Sequence, residues 1–184
     1  LGTSGSTIPG AILVESGHAL FGDGMVRSAV VNNGAIRVSN SATLANSTSG
    51  ELEIQGPLAG TGAVTIASGA TLQLDSNVSS GQSITFSAGA AETLVLSAPG
   101  IGLASAINNM QIGDRIDFGN GMTIDSVGLG GTVLTLDFHG SGGLPGTYVI
   151  SDIIPVTVAA AGFITGTDAA NGLSNITYEP RTLN

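Results

Sequence analysis

The chain has 184 residues, of which 42% are hydrophobic and only 9% charged, with 4% aromatics, 29 glycines, no tryptophan and no cysteine. Thirteen acids against four arginines and no lysine give a formal net charge of −9. This composition excludes a disulfide framework and any thiolate metal site or nucleophile. It also leaves no basic cluster to neutralise nucleic-acid phosphates or an anionic membrane surface.

The sequence opens at Leu1 without a basic and then apolar leader, and no apolar run approaches the roughly 18 residues of a membrane-spanning helix. The expectation is a segment of a longer protein whose targeting signals lie outside it. Residues 8–31 are richer in apolar groups, with Ala11-Ile12-Leu13-Val14 and Ala19-Leu20-Phe21, and read as an atypical end. Short strand-like triplets follow, most of them apolar–polar–apolar, the mark of a half-buried strand. They begin at Ala35-Ile36-Arg37-Val38, Leu52-Glu53-Ile54, Val64-Thr65-Ile66, Leu72-Gln73-Leu74, Ile84-Thr85-Phe86 and Leu94-Val95-Leu96. Residues 100–110 place Leu103, Ala104, Ala106, Ile107 and Met110 at helix-like spacing, so a turn or two of helix, or a loop, is expected there. Triplets resume at Ile116-Asp117-Phe118, Thr123-Ile124-Asp125, Leu134-Thr135-Leu136 and Tyr148-Val149-Ile150. Turn residues such as Asn33-Gly34, Gly60-Thr61-Gly62, Ser68-Gly69 and Gly130-Gly131 separate them.

Ile66 lies 20 residues before Phe86, and Leu74 lies 22 before Leu96. Two strands per period of about twenty residues indicate a solenoid, because one winding alone is too thin to bury its apolar face. The expected fold is all-β: a right-handed parallel β-helix over residues 1–152 with an atypical capping segment over 153–184. Roughly seven windings would make a rod of about 35 Å at the usual strand spacing. An antiparallel sandwich also has short strands with turns between them, but the scarcity of aromatics and of strong hairpin signals favours the solenoid.

The run from Leu58 to Leu74, LAGTGAVTIASGATLQL, resembles the repeat style of bacterial autotransporter passengers and large β-strand-repeat surface adhesins, and so does Ile112-Gly113-Asp114-Arg115-Ile116-Asp117-Phe118. The resemblance spans roughly residues 30–140. It implies a right-handed parallel β-helix exported to the cell surface, serving adhesion, biofilm formation or display. It names no receptor.

Candidate chemistry is sparse. Asp114, Asp117 and Asp125 would converge on a cation only if successive windings stacked in register, and no calcium-binding glycine-rich nonapeptide accompanies them. Glu51 and Glu53 share one face of a strand, but a sugar-cleaving carboxylate pair would be expected to bring aromatic platforms, of which the chain has few. Asp137 and His139 share a strand face among many serines, which is little basis for a catalytic triad. Gly128–Gly131 and Gly140–Gly146 precede strands and read as turns, not phosphate cradles. Asn46, Asn77 and Asn175 each begin a glycosylation-type triplet. No catalytic residue, metal or cofactor is therefore expected. The expectation is a non-enzymatic stalk or display scaffold, secreted or at the bacterial cell surface, meeting a host or cell-surface glycan or protein and self-associating through its end windings. The alternative is a carbohydrate-active enzyme or carbohydrate-binding module on the same scaffold.

Overall fold

The computed structural model describes residues 10–40, 50–89, 91–97, 101–119, 121–140, 145–150, 153–155, 161–169 and 171–180. Among these residues the protein is all-β, without a helix. The chain first visits three sheets in strict rotation. The first sheet holds β1 (Ile12–Val14), β4 (Val30–Asn32) and β7 (Leu58–Ala59), all parallel. The second holds β2 (Ala19–Gly22), β5 (Ala35–Val38), β8 (Ala63–Ile66), β10 (Ser83–Phe86), β12 (Ala106–Met110) and β17 (Ile153–Pro155), also parallel throughout. In the third, β3 (Gly24–Val26), β6 (Glu51–Ile54), β9 (Thr71–Leu74), β11 (Thr93–Leu96) and β13 (Arg115–Phe118) run parallel. The third sheet ends with β19 (Ser174–Pro180) and β18 (Ala161–Thr167), both paired antiparallel.

The period-two alternation sets what faces inward. Leu20, Ile36, Val64, Ile84, Ile107 and Ile153 are register partners from strand to strand along the second sheet. Leu52, Leu72, Leu94, Ile116 and Ile176 form the matching row of the third, and all five are buried. Between them stand outward residues such as Arg37, Thr65 and Thr85, or Glu53 and Gln73. The repeating distances, 20 residues from Val64 to Ile84 and 22 from Leu72 to Leu94, are those of the sequence pattern.

Each period, however, has three paired segments and not two. The first sheet continues beyond β7 only through single-residue bridges, Leu58 to Val78 and Val78 to Leu103. One or two paired residues are too short to show alternation, so this face is invisible to a periodicity search. At its corner with the second sheet lies a buried amide pair. Asn32 Nδ2 donates to Gln82 Oε1 at 2.9 Å, while Gln82 Nε2 donates to the Asn32 and Ala59 carbonyls at 2.9 and 3.1 Å. A Cβ on Gly62 would lie 2.5 Å from the Gly34 carbonyl and 2.6 Å from Asn32 Nδ2, so only glycine fits that corner.

The helix expected within residues 100–110 is absent: Leu103 makes a bridge and Ala106–Met110 is β12 (residue 100 lies outside the described residues). The helix-like spacing has a specific origin. Asn109 adopts φ +61° and interrupts the pairing with β17, adding one residue between the buried Ile107 and Met110. A bulge thus mimics a three-residue helical step. Asn tolerates that left-handed conformation, and its Nδ2 is tied to the Phe86 carbonyl at 2.7 Å.

Antiparallel pairing also starts earlier than expected. β14 (Met122–Gly130), β15 (Val133–Gly140) and β16 (Pro145–Ile150) form a separate antiparallel sheet, inserted before the chain rejoins the second sheet as β17. The strands expected at 123–125, 134–136 and 148–150 are therefore real but not part of the parallel rotation. Gly131, at φ +67°, makes the tight β14–β15 turn. The Tyr148 hydroxyl donates to the Ile101 carbonyl, and its ring meets Phe118 edge-on at 5.9 Å.

The alternation is checked by two neighbours on β9. Leu72→Ala should lower unfolding free energy by about 2–5 kcal/mol, while the outward Gln73→Ala should change it by less than about 0.5 kcal/mol, both read by urea titration.

Candidate functional site

The three aspartates singled out by sequence occupy three separate environments. Asp114 and Asp117 are fully buried, whereas Asp125 is half exposed. Among the described residues no group of three or more His, Asp or Glu side chains could hold a metal ion.

Asp114 sits just before β13, above Glu92, which just precedes β11. Both side chains have no solvent exposure. Asp114 Oδ2 accepts the Gln111 N–H at 2.7 Å and Oδ1 accepts the Glu92 N–H at 3.2 Å. Glu92 Oε1 accepts the Ser87 hydroxyl at 2.8 Å, but its Oε2 has no other donor. Burial, reinforced by the hydrogen bond and the negative charge of Glu92, pushes Asp114 up to about 8, far above the usual carboxylate range. The neighbouring Glu92 thus makes ionisation of the buried Asp114 still less favourable than burial alone does.

Asp117 lies on the outward side of β13, between Val95 and Asn175 in register. It is buried because the turn joining β18 to β19 folds across it. Asn171 Nδ2 donates to Asp117 Oδ2 at 3.2 Å. Arg115 stands 3.3 Å from Asp117 Oδ1 through Nε and 2.8 Å from Asp168 Oδ2 through Nη2. Burial raises Asp117 to about 6, against the opposing pull of Asn171 and Arg115. One guanidinium thus bridges two buried acids from distant parts of the chain.

Asp125 occupies the bulge between Ile124 and Ser126 of β14, which turns its carboxylate toward His139. His139 Nδ1 lies 2.8 and 3.0 Å from its two oxygens. Asp137 does not join that dyad; it accepts the Ser126 and Thr147 hydroxyls at 2.9 and 3.1 Å. No serine hydroxyl among the described residues bonds His139, so the parts of a nucleophilic triad are not brought together. Glu51 and Glu53 do share the outer face of β6, where burial and the charges of Glu53 and Asp75 raise Glu51. Gln55 and Gln73 cap Glu53 and Asp75 at 2.7 and 2.9 Å. Of the glycosylation-type asparagines, Asn175 is buried and Asn77 Oδ1 accepts the Gly102 N–H, while Asn46 lies outside the described residues.

Sequence reasoning identified Asp114 but not its partner. Glu92 follows two alanines and precedes a threonine, and only the 22-residue register places it under Asp114. A cavity of about 340 Å³ at the corner between β2 and β5 was equally unannounced. Ser16, His18, Asn33 and Arg37 line it, over Ala19 and Ala35.

Because Asp114 and Asp117 take up protons more readily when folded than when unfolded, the stability they contribute is full below about pH 4. It is lost as pH rises, through about 6 for Asp117 and about 8 for Asp114. Thermal or urea unfolding should show about 1–3 kcal/mol lost between pH 6 and 8. Asp114→Asn, which cannot ionise, should remove most of that loss; an unchanged slope would contradict the raised proton affinity of Asp114.

Comparison of the chain with protein-family models, with curated proteins and with solved structures gives no match.

Proposed function

We propose that the three parallel sheets are the faces of a single right-handed β-solenoid, and that this solenoid is a non-enzymatic structural or adhesive segment of an exported bacterial surface protein. The observation that carries the reading is the aliphatic row from Leu20 to Ile153, in register through six strands while the chain cycles through the three sheets. A stack of this kind gains stiffness from backbone hydrogen bonds directed along its axis. Six strands span about 24 Å at the usual spacing, shorter than the seven windings suggested by counting triplets. The likeness to autotransporter passengers and adhesins supports export and surface display. The antiparallel strands β18 and β19 then act as a lid on the far end, since an open parallel edge would recruit other chains. Under this reading the aspartates are elements of the fold and not of a reaction.

A solenoid tolerates excision of one whole period because each winding contacts only its neighbours. Deleting residues 71–92 brings Thr93 directly after Ala70, replacing its own register partner Thr71. The shortened chain should retain a β-type circular dichroism spectrum and cooperative unfolding; a collapsed, unfolded product would overturn the solenoid. Display is tested separately: an antibody against the chain should label intact cells of its source. Release of new reducing or unsaturated ends from any member of a polysaccharide panel would overturn the non-enzymatic assignment.

A further inference from the structure

We infer that the corner cavity between β2 and β5 is a binding site for a sugar ring bearing a carboxylate, such as a uronic or sialic acid unit. The inference does not depend on the chain being a rod or an exported protein. The cavity measures about 340 Å³, at the small end of ligand sites and suited to one ring more than to a polymer cleft. Its floor exists because Ala19 and Ala35, register partners on the outward side of the second sheet, carry only methyl groups. The turns at Ser16-Gly17-His18 and Asn33-Gly34 form its walls.

The charge of this cavity runs against that of the whole molecule. The chain carries 13 acids against four arginines, yet the lining contains Arg37 and His18 and no Asp or Glu. Arg37 makes no ion pair with a described residue, and its guanidinium is exposed. A planar guanidinium is built to receive both oxygens of a carboxylate. Ser16 and Asn33 add neutral polar groups of the kind that bind sugar hydroxyls. On the strand beside Arg37, its register partner Phe21 faces the same side and is 64% exposed. Such exposure of an aromatic ring is costly in water and useful as a platform for the apolar face of a sugar. The cavity thus offers a carboxylate receiver and hydroxyl partners, and Phe21 stands outside its lining but beside Arg37, so that a sugar ring reaching past the guanidinium gains a platform that a simple anion cannot use.

The test is calorimetric titration of the whole chain with trigalacturonate and with sialyllactose. Methyl-esterified trigalacturonate and lactose serve as neutral counterparts, and sodium acetate as a bare carboxylate. At least one acidic sugar should bind saturably, its neutral counterpart at least tenfold more weakly. Arg37→Gln should weaken binding at least tenfold and Phe21→Ala several-fold, both side chains being exposed. The inference is overturned if neither acidic sugar binds, if ester or lactose binds equally, or if Arg37→Gln leaves affinity unchanged. Acetate competing as well as the sugars would reduce the site to a plain anion site and overturn the sugar assignment.

Discussion

Everything in this structure depends on stacking identical side-chain positions on one another at strand spacing. A slab only one strand deep has no interior, so no single period can be stable alone. When Val64 lies on Ile36 and under Ile84, each aliphatic side chain is covered by its register neighbours, and the backbone groups of the same strands are satisfied by the same neighbours. Burial and hydrogen bonding therefore run along one axis. Val, Ile and Leu fill most positions of the buried rows, with Phe86 and Phe118 fully buried among them.

The constraint also governs polar groups that fall on the column. An inward position cannot reach water, so whatever stands there must find its partner elsewhere along the stack. Asn32 and Gln82 do so with complementary amides, each group in use. Glu92 and Asp114 do so across one step, the Asp114 carboxylate accepting the Glu92 N–H while burial and Glu92 raise its proton affinity. The two solutions differ in consequence. The amide pair is indifferent to pH, while the carboxyl pair ties the corner of the third sheet to acidic conditions. Asp117 adds the same sign of dependence from the outer face, under the clasp made by Arg115, Asp168 and Asn171.

The parallel sheets stop where the chain changes direction. β19 lies antiparallel on β13 and carries Ile176 into the row begun by Leu52, so the last rung keeps the apolar column while reversing the strand. The inserted sheet β14–β16 shields Phe118 and reaches Ile101 through Tyr148. At the opposite end, the first-level strands expose Leu13, Phe21 and Met25. The molecule is thus asymmetric along its length, with chemistry-bearing side chains such as Arg37 and His18 near one end and acid-lined packing near the other.

The sequence by itself determined the strand class, the roughly twenty-residue repeat and the inward positions, because period-two alternation and turn glycines are local properties. Leu72-Gln73-Leu74 can be read as it stands. It could not reveal the third face, since Val78 and Leu103 contribute single bridges with no pattern around them. It misread residues 100–110, because a bulge at Asn109 reproduces helical spacing. Nor could it separate Asp114 from Asp117 and Asp125, three acids within twelve positions that the fold sends to a buried corner, a clasp and an exposed bulge. Which residues meet across 22, 50 or 53 positions is decided by register. Register is a property of the assembled stack, because it is fixed by the summed burial of every rung and by no single one of them.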